Sequence, residues 1–347
     1  MTKVYVGMSG GVDSSLTAAL LVEQGYQVTG VYMKNWTKDL PGMHCPWADD
    51  LADAKRVAVQ LDIDFKVYDF EAEYKRKVVD YMIDEYKLGR TPNPDIMCNQ
   101  EVKFKLFLET ALEDGADMIA TGHYARVHEG RLLMAEDANK DQTYFLYRVT
   151  KEALHKTLFP LGEFTKPEVR AMAMERDLVT AHKKESMGVC FVGNVGMREF
   201  LGTFVTTLPG DIIDQESSEV IGRHDGAIFY TLGQRHGLDV GGGLPYYVAG
   251  KDMDKNIVYV TTKLQDASMW AKTVDLQSPH WIHDSPSDQE MLQVRVRHRA
   301  ALVDATIMKM QENSVIIQFK DEQRAITRGQ SLVFYRKNEC IGGGIVG

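Results

Sequence analysis

The sequence predicts an α/β protein with a doubly wound N-terminal domain, a small central β-rich domain and a C-terminal domain of short strands. In the first half, short apolar runs alternate with stretches whose apolar residues recur at helical spacing. After about residue 203, glycines and prolines break the chain into short pieces, as turns between short strands do. From about residue 275, apolar and polar residues alternate, which is typical of half-buried strands. We therefore place the domains at residues 1–202, 203–275 and 276–347.

Length and composition are those of a globular protein. The 347 residues give room for two or three domains. With 44% hydrophobic and 26% charged residues, the composition is typical of soluble proteins. No apolar run approaches the roughly 18 residues that cross a membrane, and the first strand runs into a glycine turn rather than a cleavage site. The sequence therefore predicts a cytoplasmic protein without membrane contact.

The first half carries four predicted strands, at residues 4–8, 28–33, 65–70 and 118–121. Apolar residues recur at helical spacing between them, at Leu51, Ala54, Ala58 and Leu61 and again at Tyr74, Val78, Tyr81 and Met82. Strands that alternate with helices form parallel sheets, which bind nucleotides at the carboxyl ends of their strands. Met33 and Gly122 lie at two such ends, beside the loop that follows Met8.

The loop Ser-Gly-Gly-Val-Asp-Ser-Ser, residues 9–15, joins the first strand to a helix that Gly25 is expected to end. Glycines in such a turn let backbone N–H groups approach a ligand, and the helix N-terminus adds partial positive charge, so the loop is suited to phosphate. It lacks the Gly-Lys-Ser/Thr of the Walker A loop and the spacing of the dinucleotide-binding motif. Asp13 fits an anion site only if a cation accompanies the ligand or if the carboxylate caps the helix.

Charge is distributed unevenly along the chain. The net charge is −9, but residues 291–347 contain nine Lys/Arg against five Asp/Glu, a local charge of +4. Within this segment Arg295, Arg297 and Arg299 alternate with apolar residues and His298, so we expect three arginines on the open face of one strand. Such a face is suited to phosphate contact. A solvated strand face is an almost equally good interpretation.

The four cysteines include no C-x-x-C pair, so neither a zinc site nor a structural disulfide is expected. Cys98 lies where a helix is expected to begin near Asn99, a position that lowers the pKa of a thiol and favours the nucleophilic thiolate. Asp95, three residues earlier, is close enough to handle a proton. Cys190 follows two lysines and precedes an apolar pair, so it is either activated or part of the core. Small incidental or buried side chains are expected at Cys45 and Cys340.

Motifs along the whole chain resemble those of known families. The loop at residues 9–15 resembles the pyrophosphate loop of the N-type ATP pyrophosphatases, which transfer AMP to a substrate oxygen and release pyrophosphate. The motifs SGGVDSS, GRTPNPDIMCNQEVKF, ATGHYAR, NKDQTYFLY, ESMGVCFVG, TLGQRHGL and CIGGGI occur in an order similar to that of the bacterial tRNA-specific 2-thiouridylases. This resemblance runs from residue 3 to the last residues, and it implies an N-terminal pyrophosphate-loop ATPase domain and a C-terminal β-barrel.

The resemblance also implies a function and a site. The activity would be ATP-dependent 2-thiolation of the wobble uridine of tRNA, with Cys98 as nucleophile, Cys190 as persulfide carrier and Asp95 as a proton-handling group. The residues implied to bind ATP are Gly7, Met8, Ser9, Gly10, Gly11, Val12, Asp13, Ser14, Met33 and Gly122. Those implied to meet the target base are Asn93, Pro94 and Asp95, and those implied to contact tRNA elsewhere are His123, Lys140, Asp141, Gln142, Arg297, His298 and Gln330.

The expected ligands and partners follow from this activity. ATP is expected with Mg²⁺, without a metal site in the protein itself. The expected partners are wobble-uridine tRNAs, those for Lys, Glu and Gln, and a sulfur donor such as a cysteine desulfurase or a sulfur-relay protein. Adenylation would convert the C2 oxygen into a leaving group, and sulfur from Cys190 would replace it. Cys98 would either resolve the persulfide, leaving a disulfide for external thiols to reduce, or free sulfide first.

Two other classes of function remain open at this point. A small-molecule ATP pyrophosphatase, such as an amidotransferase-linked ligase, would use the same loop but would need neither paired cysteines nor a basic β-domain. A non-catalytic RNA-binding protein could keep the loop as scaffold, although the intact Ser9, Asp13, Cys98 and Cys190 argue against it. The plain structural alternatives are a strand-end cap for His123 and a solvated turn for residues 140–142.

Overall fold

The computed structural model describes residues 1–39, 45–184, 196–238, 240–241, 243 and 245–347. Its strands are β1 (Lys3–Gly7), β2 (Gln27–Lys34), β3 (Asp64–Asp69), β4 (Met118–Ala120), β5 (Arg126–His128), β6 (Arg131–Leu133), β7 (Thr157–Leu158), β8 (Gly210–Asp214), β9 (Val220–His224), β10 (Tyr247–Asp252), β11 (Ile257–Thr261), β12 (Trp270–Trp281), β13 (Met291–Arg295), β14 (Val303–Met310), β15 (Ser314–Arg324), β16 (Ser331–Arg336) and β17 (Glu339–Val346). Its α-helices are α1 (Val12–Glu23), α2 (Trp47–Gln60), α3 (Glu71–Tyr74), α4 (Tyr81–Lys87), α5 (Pro94–Met97), α6 (Phe107–Glu113), α7 (Thr143–Leu146), α8 (Lys151–His155), α9 (Lys166–Glu175) and α10 (Met197–Gly202). Within these residues, none of the helices has the length and apolar character needed to cross a membrane.

The N-terminal sheet is parallel throughout, with strand order β3-β2-β1-β4-β7. Side chains of β1 alternate between its two faces. Val4 and Val6 pack with Ala18 and Leu21 of α1 on one face, while Tyr5 belongs to a second core on the other. The predicted doubly wound domain is thereby confirmed. Because all strands run the same way, the carboxyl ends of β1, β2 and β4 lie at one edge of the sheet.

Two helices on this domain are widened in the middle. A π-helical segment, Lys75–Asp80, joins α3 to α4, and another, Cys98–Leu106, joins α5 to α6. The second helix therefore runs without a break from Pro94 to Glu113. Extended π-helix is rare and occurs often at functional sites. The helix also begins earlier than the sequence suggested, because Pro94 takes its first position and Asn93 caps it.

The central domain contains a four-stranded sheet of order β10-β11-β8-β9. Ile212, Val248, Val258 and Val260 are fully buried in its small core. Short strands and glycine-rich connections agree with the β-rich domain predicted from the sequence.

The C-terminal domain is a closed barrel. Six strands pair in the order β12-β15-β14-β13-β16-β17, and β12 also pairs with β17 to complete the circle. The hairpin β5–β6, which lies in the first half of the chain, adds to β17 through the pairs Leu133–Glu339 and Leu132–Cys340. The barrel expected from the resemblance is confirmed, whereas nothing in the sequence indicated that this hairpin would join it. The exact domain boundaries stay predictions.

A buried ion pair fastens the barrel to the N-terminal domain. Arg295 lies 2.7 Å from the carboxylate of Asp141, and their side chains are only 11% and 2% exposed. Thr143 and the backbone of Ala135 donate further hydrogen bonds to that carboxylate. The prediction of three arginines on an open strand face is therefore wrong for Arg295, since β13 ends there and the segment at Asp141 covers it.

Replacing Asp141 by Ala is expected to destabilise the protein, because the Arg295 guanidinium would stay buried without its partner. We expect a loss of about 3–5 kcal/mol in the free energy of unfolding. Asp304→Ala removes an exposed ion pair in which the Asp304 carboxylate lies 3.5 Å from Lys320 Nζ. This variant should lose less than about 1 kcal/mol in the free energy of unfolding. Urea denaturation followed by tryptophan fluorescence measures both. Equal losses in the two variants would contradict the structural role of the buried pair.

Candidate active site at the carboxyl ends of the parallel strands

The loop between β1 and α1 presents an uncapped helix N-terminus. Gly11 is the N-cap residue, and no side chain there accepts a hydrogen bond from the first turn of α1. Ser9 N–H donates to Ser14 Oγ at 3.1 Å, and Ser15 Oγ donates to Gly11 O at 2.8 Å, so the serines brace the loop. Backbone N–H groups of the first turn have no partner within a helix. An anion such as a phosphate satisfies them and also interacts favourably with the helix dipole.

Two glycines keep this loop accessible and compact. A Cβ atom on Gly10, whose φ is +73°, would lie 2.3 Å from Asp50 O. A Cβ atom on Gly122 would lie 2.9 Å from Ser14 N, so the end of β4 touches the loop directly. Met33 approaches from β2, with its Cε 2.9 Å from the place a Gly7 Cβ would take. The structure therefore brings the predicted ATP residues of three strand ends together.

Asp13 has a cationic partner from a distant helix. Lys166 Nζ donates to Asp13 Oδ1 at 2.6 Å, and the Tyr124 hydroxyl donates to the same oxygen at 3.0 Å. Asp13 therefore does not cap the helix, and the cation beside it is Lys166 of the protein itself, whereas the sequence suggested a cation that accompanies the ligand. Lys166 is 8% exposed.

Sequence reasoning missed Lys166, although one signal was available. Thr165 and Glu168 form a capping box that opens α9, and Lys166 is its first residue. The dipole disfavours a cation at a helix N-terminus. A lysine at that position, followed by Pro167, is a candidate for a role outside its own helix.

The predicted base-binding segment forms the start of α5. Asn93 Oδ1 accepts hydrogen bonds from Asp95 N at 3.1 Å and Ile96 N at 3.3 Å. Burial raises the pKa of the Asp95 carboxyl, and the Lys103 ammonium opposes that rise. A carboxyl with a raised pKa exchanges protons more readily near neutral pH than an exposed one does. The arrangement suits Asp95 to proton transfer.

All three domains meet at the residue that precedes this segment. Thr91 N–H donates to Arg328 O of the barrel at 2.8 Å. Its hydroxyl lies 3.1 Å from the Thr231 hydroxyl of the central domain. Gln330, predicted to contact tRNA, follows Arg328 by two residues. The predicted base-binding segment therefore begins two residues after a contact with both the barrel and the central domain.

Of the two predicted catalytic cysteines, the described residues include only Cys98. Cys98 is 4% exposed and is the fifth residue of its helix, so the expectation that it stands at the helix N-terminus is wrong. Asp95 lies on the same helix, three residues before Cys98, and not in a preceding loop as predicted. Cys190 lies outside the described residues. Burial raises the thiol pKa of Cys45 and of Cys340, which keeps both in the unreactive thiol form.

The predicted tRNA contacts divide into buried and accessible groups. His123 is buried, and Asp141 is buried in its ion pair, so Asp141 supports its loop and is not a surface contact. Gln142 Oε1 accepts a hydrogen bond from Tyr124 N at 2.8 Å. His298 packs on Phe145 with ring centroids 4.4 Å apart, which joins the segment at 140–145 to the barrel. Partly or fully exposed side chains remain at Lys140, Gln142, Arg297, His298 and Gln330.

Comparisons with known proteins agree with this architecture. Residues 2–194 match the family model of the tRNA methyl transferase HUP domain, residues 198–262 the tRNA methyl transferase PRC-barrel domain, and residues 271–346 the aminomethyltransferase β-barrel domain. The tRNA-specific 2-thiouridylase MnmA of Bacillus subtilis is 44% identical over 99% of this chain and 95% of its own length. That of Hydrogenovibrio crunogenus is 46% identical over 99% and 93%. The chain therefore belongs to the family of the tRNA-specific 2-thiouridylases.

Proposed function

We propose that this protein is an ATP-dependent tRNA sulfurtransferase that forms 2-thiouridine at the wobble position. The observation that carries the proposal is one shared edge of the sheet. At that edge, Gly122 touches the uncapped phosphate loop, and His123 beside it lies 3.4 Å from Lys103 of the helix that carries a buried carboxyl and a cysteine, in a chain 44% identical to a named 2-thiouridylase. A small-molecule ligase would not need a barrel that contacts the segment at residues 91–95. A non-catalytic RNA-binding protein that kept the loop only as scaffold would not need Lys166 held against Asp13.

The first step activates the base. The C2 oxygen of uridine attacks the α-phosphorus of ATP, an O–P bond forms, and the bond to the β-phosphate oxygen breaks. Pyrophosphate leaves with the electron pair, while Asp95 accepts the N3 proton. The N–H groups of the first turn of α1 bind the departing pyrophosphate, and Lys166 beside Asp13 offsets its charge.

The second step exchanges oxygen for sulfur. The terminal sulfur of a Cys190 persulfide attacks C2, and the C2–O bond breaks to release AMP. The Cys98 thiolate then attacks Cys190 Sγ. The bond between Cys190 Sγ and the sulfur on C2 breaks, and 2-thiouridine is released. The resulting Cys98–Cys190 disulfide is reduced by external thiols. The alternative order, in which Cys98 frees sulfide before the attack, uses the same two cysteines.

Partners and the metal follow from this chemistry. No group of three or more His, Cys, Asp or Glu side chains within the described residues is suited to hold a metal. Mg²⁺ accompanies ATP as part of the nucleotide complex. The tRNA substrates are those for Lys, Glu and Gln in the cytoplasm, and a cysteine desulfurase or relay protein supplies sulfur. The accessible side chains at Lys140, Gln142, Arg297, His298 and Gln330 contact the tRNA.

Replacing Asp13 by Asn tests the phosphate loop. The neutral amide no longer holds the Lys166 ammonium electrostatically, so the charge that balances pyrophosphate is displaced. We expect tRNA-dependent pyrophosphate release to fall by about 100-fold, with tRNA binding retained. Asp64→Asn, at the opposite, amino-terminal edge of β3, serves as the control. Unchanged pyrophosphate release in Asp13→Asn would remove the loop from the reaction.

Replacing Cys190 by Ser tests the sulfur carrier. A hydroxyl cannot form a persulfide, so no 2-thiouridine should form with cysteine and a cysteine desulfurase as the sulfur source. Binding of tRNA should stay close to that of the wild type. Cys340→Ala, at a fully buried position, should keep thiolation and controls for loss of a thiol. Nucleoside analysis of the tRNA provides the measurement. Continued turnover by Cys190→Ser would exclude Cys190 as the carrier.

A further inference from the structure

Lys103 lies on the same helix as Asp95, eight residues further on. In a regular α-helix, two side chains eight residues apart point in different directions around the helix axis, because eight is not a multiple of the 3.6 residues per turn. The π-helical segment Cys98–Leu106 closes hydrogen bonds from i to i+5, so its turns take more residues. This widening returns Lys103 toward the face that carries Asp95. The Lys103 ammonium accordingly acts on the Asp95 carboxyl.

His123 fixes the position of the Lys103 ammonium. Lys103 Nζ lies 3.4 Å from His123 Nε2, and Thr121 Oγ1 lies 2.7 Å from His123 Nδ1. An ammonium only donates hydrogen bonds, so Nε2 accepts and the ring proton is on Nδ1, which donates to Thr121. The ring is wedged between Phe104 and Phe159, with centroids at 5.5 and 6.1 Å. His123 is therefore a neutral, immobile acceptor for Lys103.

The same histidine places Lys103 next to the phosphate loop. His123 directly follows Gly122, the residue in contact with the backbone of Asp13 and Ser14. The ammonium of Lys103 thus lies at the junction between the end of β4, which touches the phosphate loop, and the helix that carries Asp95. In the proposed reaction this is where the C2 oxygen of the base and the α-phosphate must meet.

We propose that Lys103 is a further catalytic residue, whose ammonium contacts the C2 oxygen and the α-phosphate during adenylation. The inference rests on the proposed function. When Asp95 takes the N3 proton, the base becomes an anion, and the C2 oxygen attacks an α-phosphate that is itself negatively charged. A fixed cation at the meeting point offsets the repulsion between these two groups. It does so most strongly when the O–P bond is partly formed, so it lowers the barrier more than it improves binding.

The test compares three variants of the full-length enzyme with ATP and wobble-uridine tRNA. Lys103→Met removes the charge and Lys103→Arg keeps it. Lys105→Met removes an exposed lysine of the same helix, 3.7 Å from Glu101, and is the matched control. Pyrophosphate release at saturating tRNA reports the chemical step, and the Kd for tRNA is measured separately by filter binding. These two readouts separate catalysis from binding.

Lys103→Met should lower the rate by about 100-fold with a Kd for tRNA within about threefold of the wild type. Lys103→Arg should retain at least about ten times the rate of Lys103→Met, and Lys105→Met should match the wild type. A Lys103→Met rate within threefold of the wild type overturns the inference, as do equal rates in Lys103→Met and Lys103→Arg. A wild-type enzyme that releases no pyrophosphate with tRNA would instead refute the proposed function itself.

Discussion

Parallel pairing of β1 with both β2 and β4 is the constraint on which the chemistry depends. It forces three carboxyl ends to one edge, so the loop after β1, Met33 near the end of β2 and Gly122 after β4 converge within contact distance. Direct contact at Gly122 leaves no room for a side chain, and the uncapped helix α1 then points its N–H groups at this edge. A phosphate site is the consequence of this convergence, whatever the substrate. Substrate specificity depends on the other segments of the chain that lie at this edge of the sheet.

The rest of the chain positions the segment at residues 93–95, which we propose binds the target base. Asn93 and Pro94 start its helix, and Thr91 contacts both the barrel and the central domain. The Asp141–Arg295 pair and the β5–β6 hairpin connect the barrel to the catalytic domain. These connections hold the barrel side of the Thr91 contact in place. In the proposed reaction, tRNA that binds across the barrel and the catalytic domain positions the target base relative to the phosphate loop. Such coupling distinguishes this protein from a ligase with a small closed pocket.

The sequence predicted what depends on local pattern and missed what depends on distant contact. Apolar periodicity identified four of the five strands of the N-terminal sheet, and the glycines at residues 9–15 indicated the loop that we propose binds phosphate. Arg295 was assigned to an open face because alternation says nothing about what covers a strand, and here Asp141 does, from 154 residues away. Lys166 and Lys103 were missed for the same reason, since their partners Asp13 and His123 are far along the chain. The helix start expected near Asn99 was too late, because Asn93 caps the helix and Pro94 is its first residue.

The central claim is that this enzyme replaces the C2 oxygen of a tRNA uridine with sulfur at the expense of ATP. The most direct measurement is mass spectrometry of nucleosides from unmodified tRNA incubated with the enzyme, ATP, Mg²⁺, cysteine and a cysteine desulfurase, which together load Cys190 with persulfide sulfur. The account predicts a thionucleoside that co-elutes with synthetic 2-thiouridine, maps to the wobble position and is absent when ATP is omitted. A methylated or 4-thiolated uridine, or 2-thiouridine formed equally well without ATP, would contradict it.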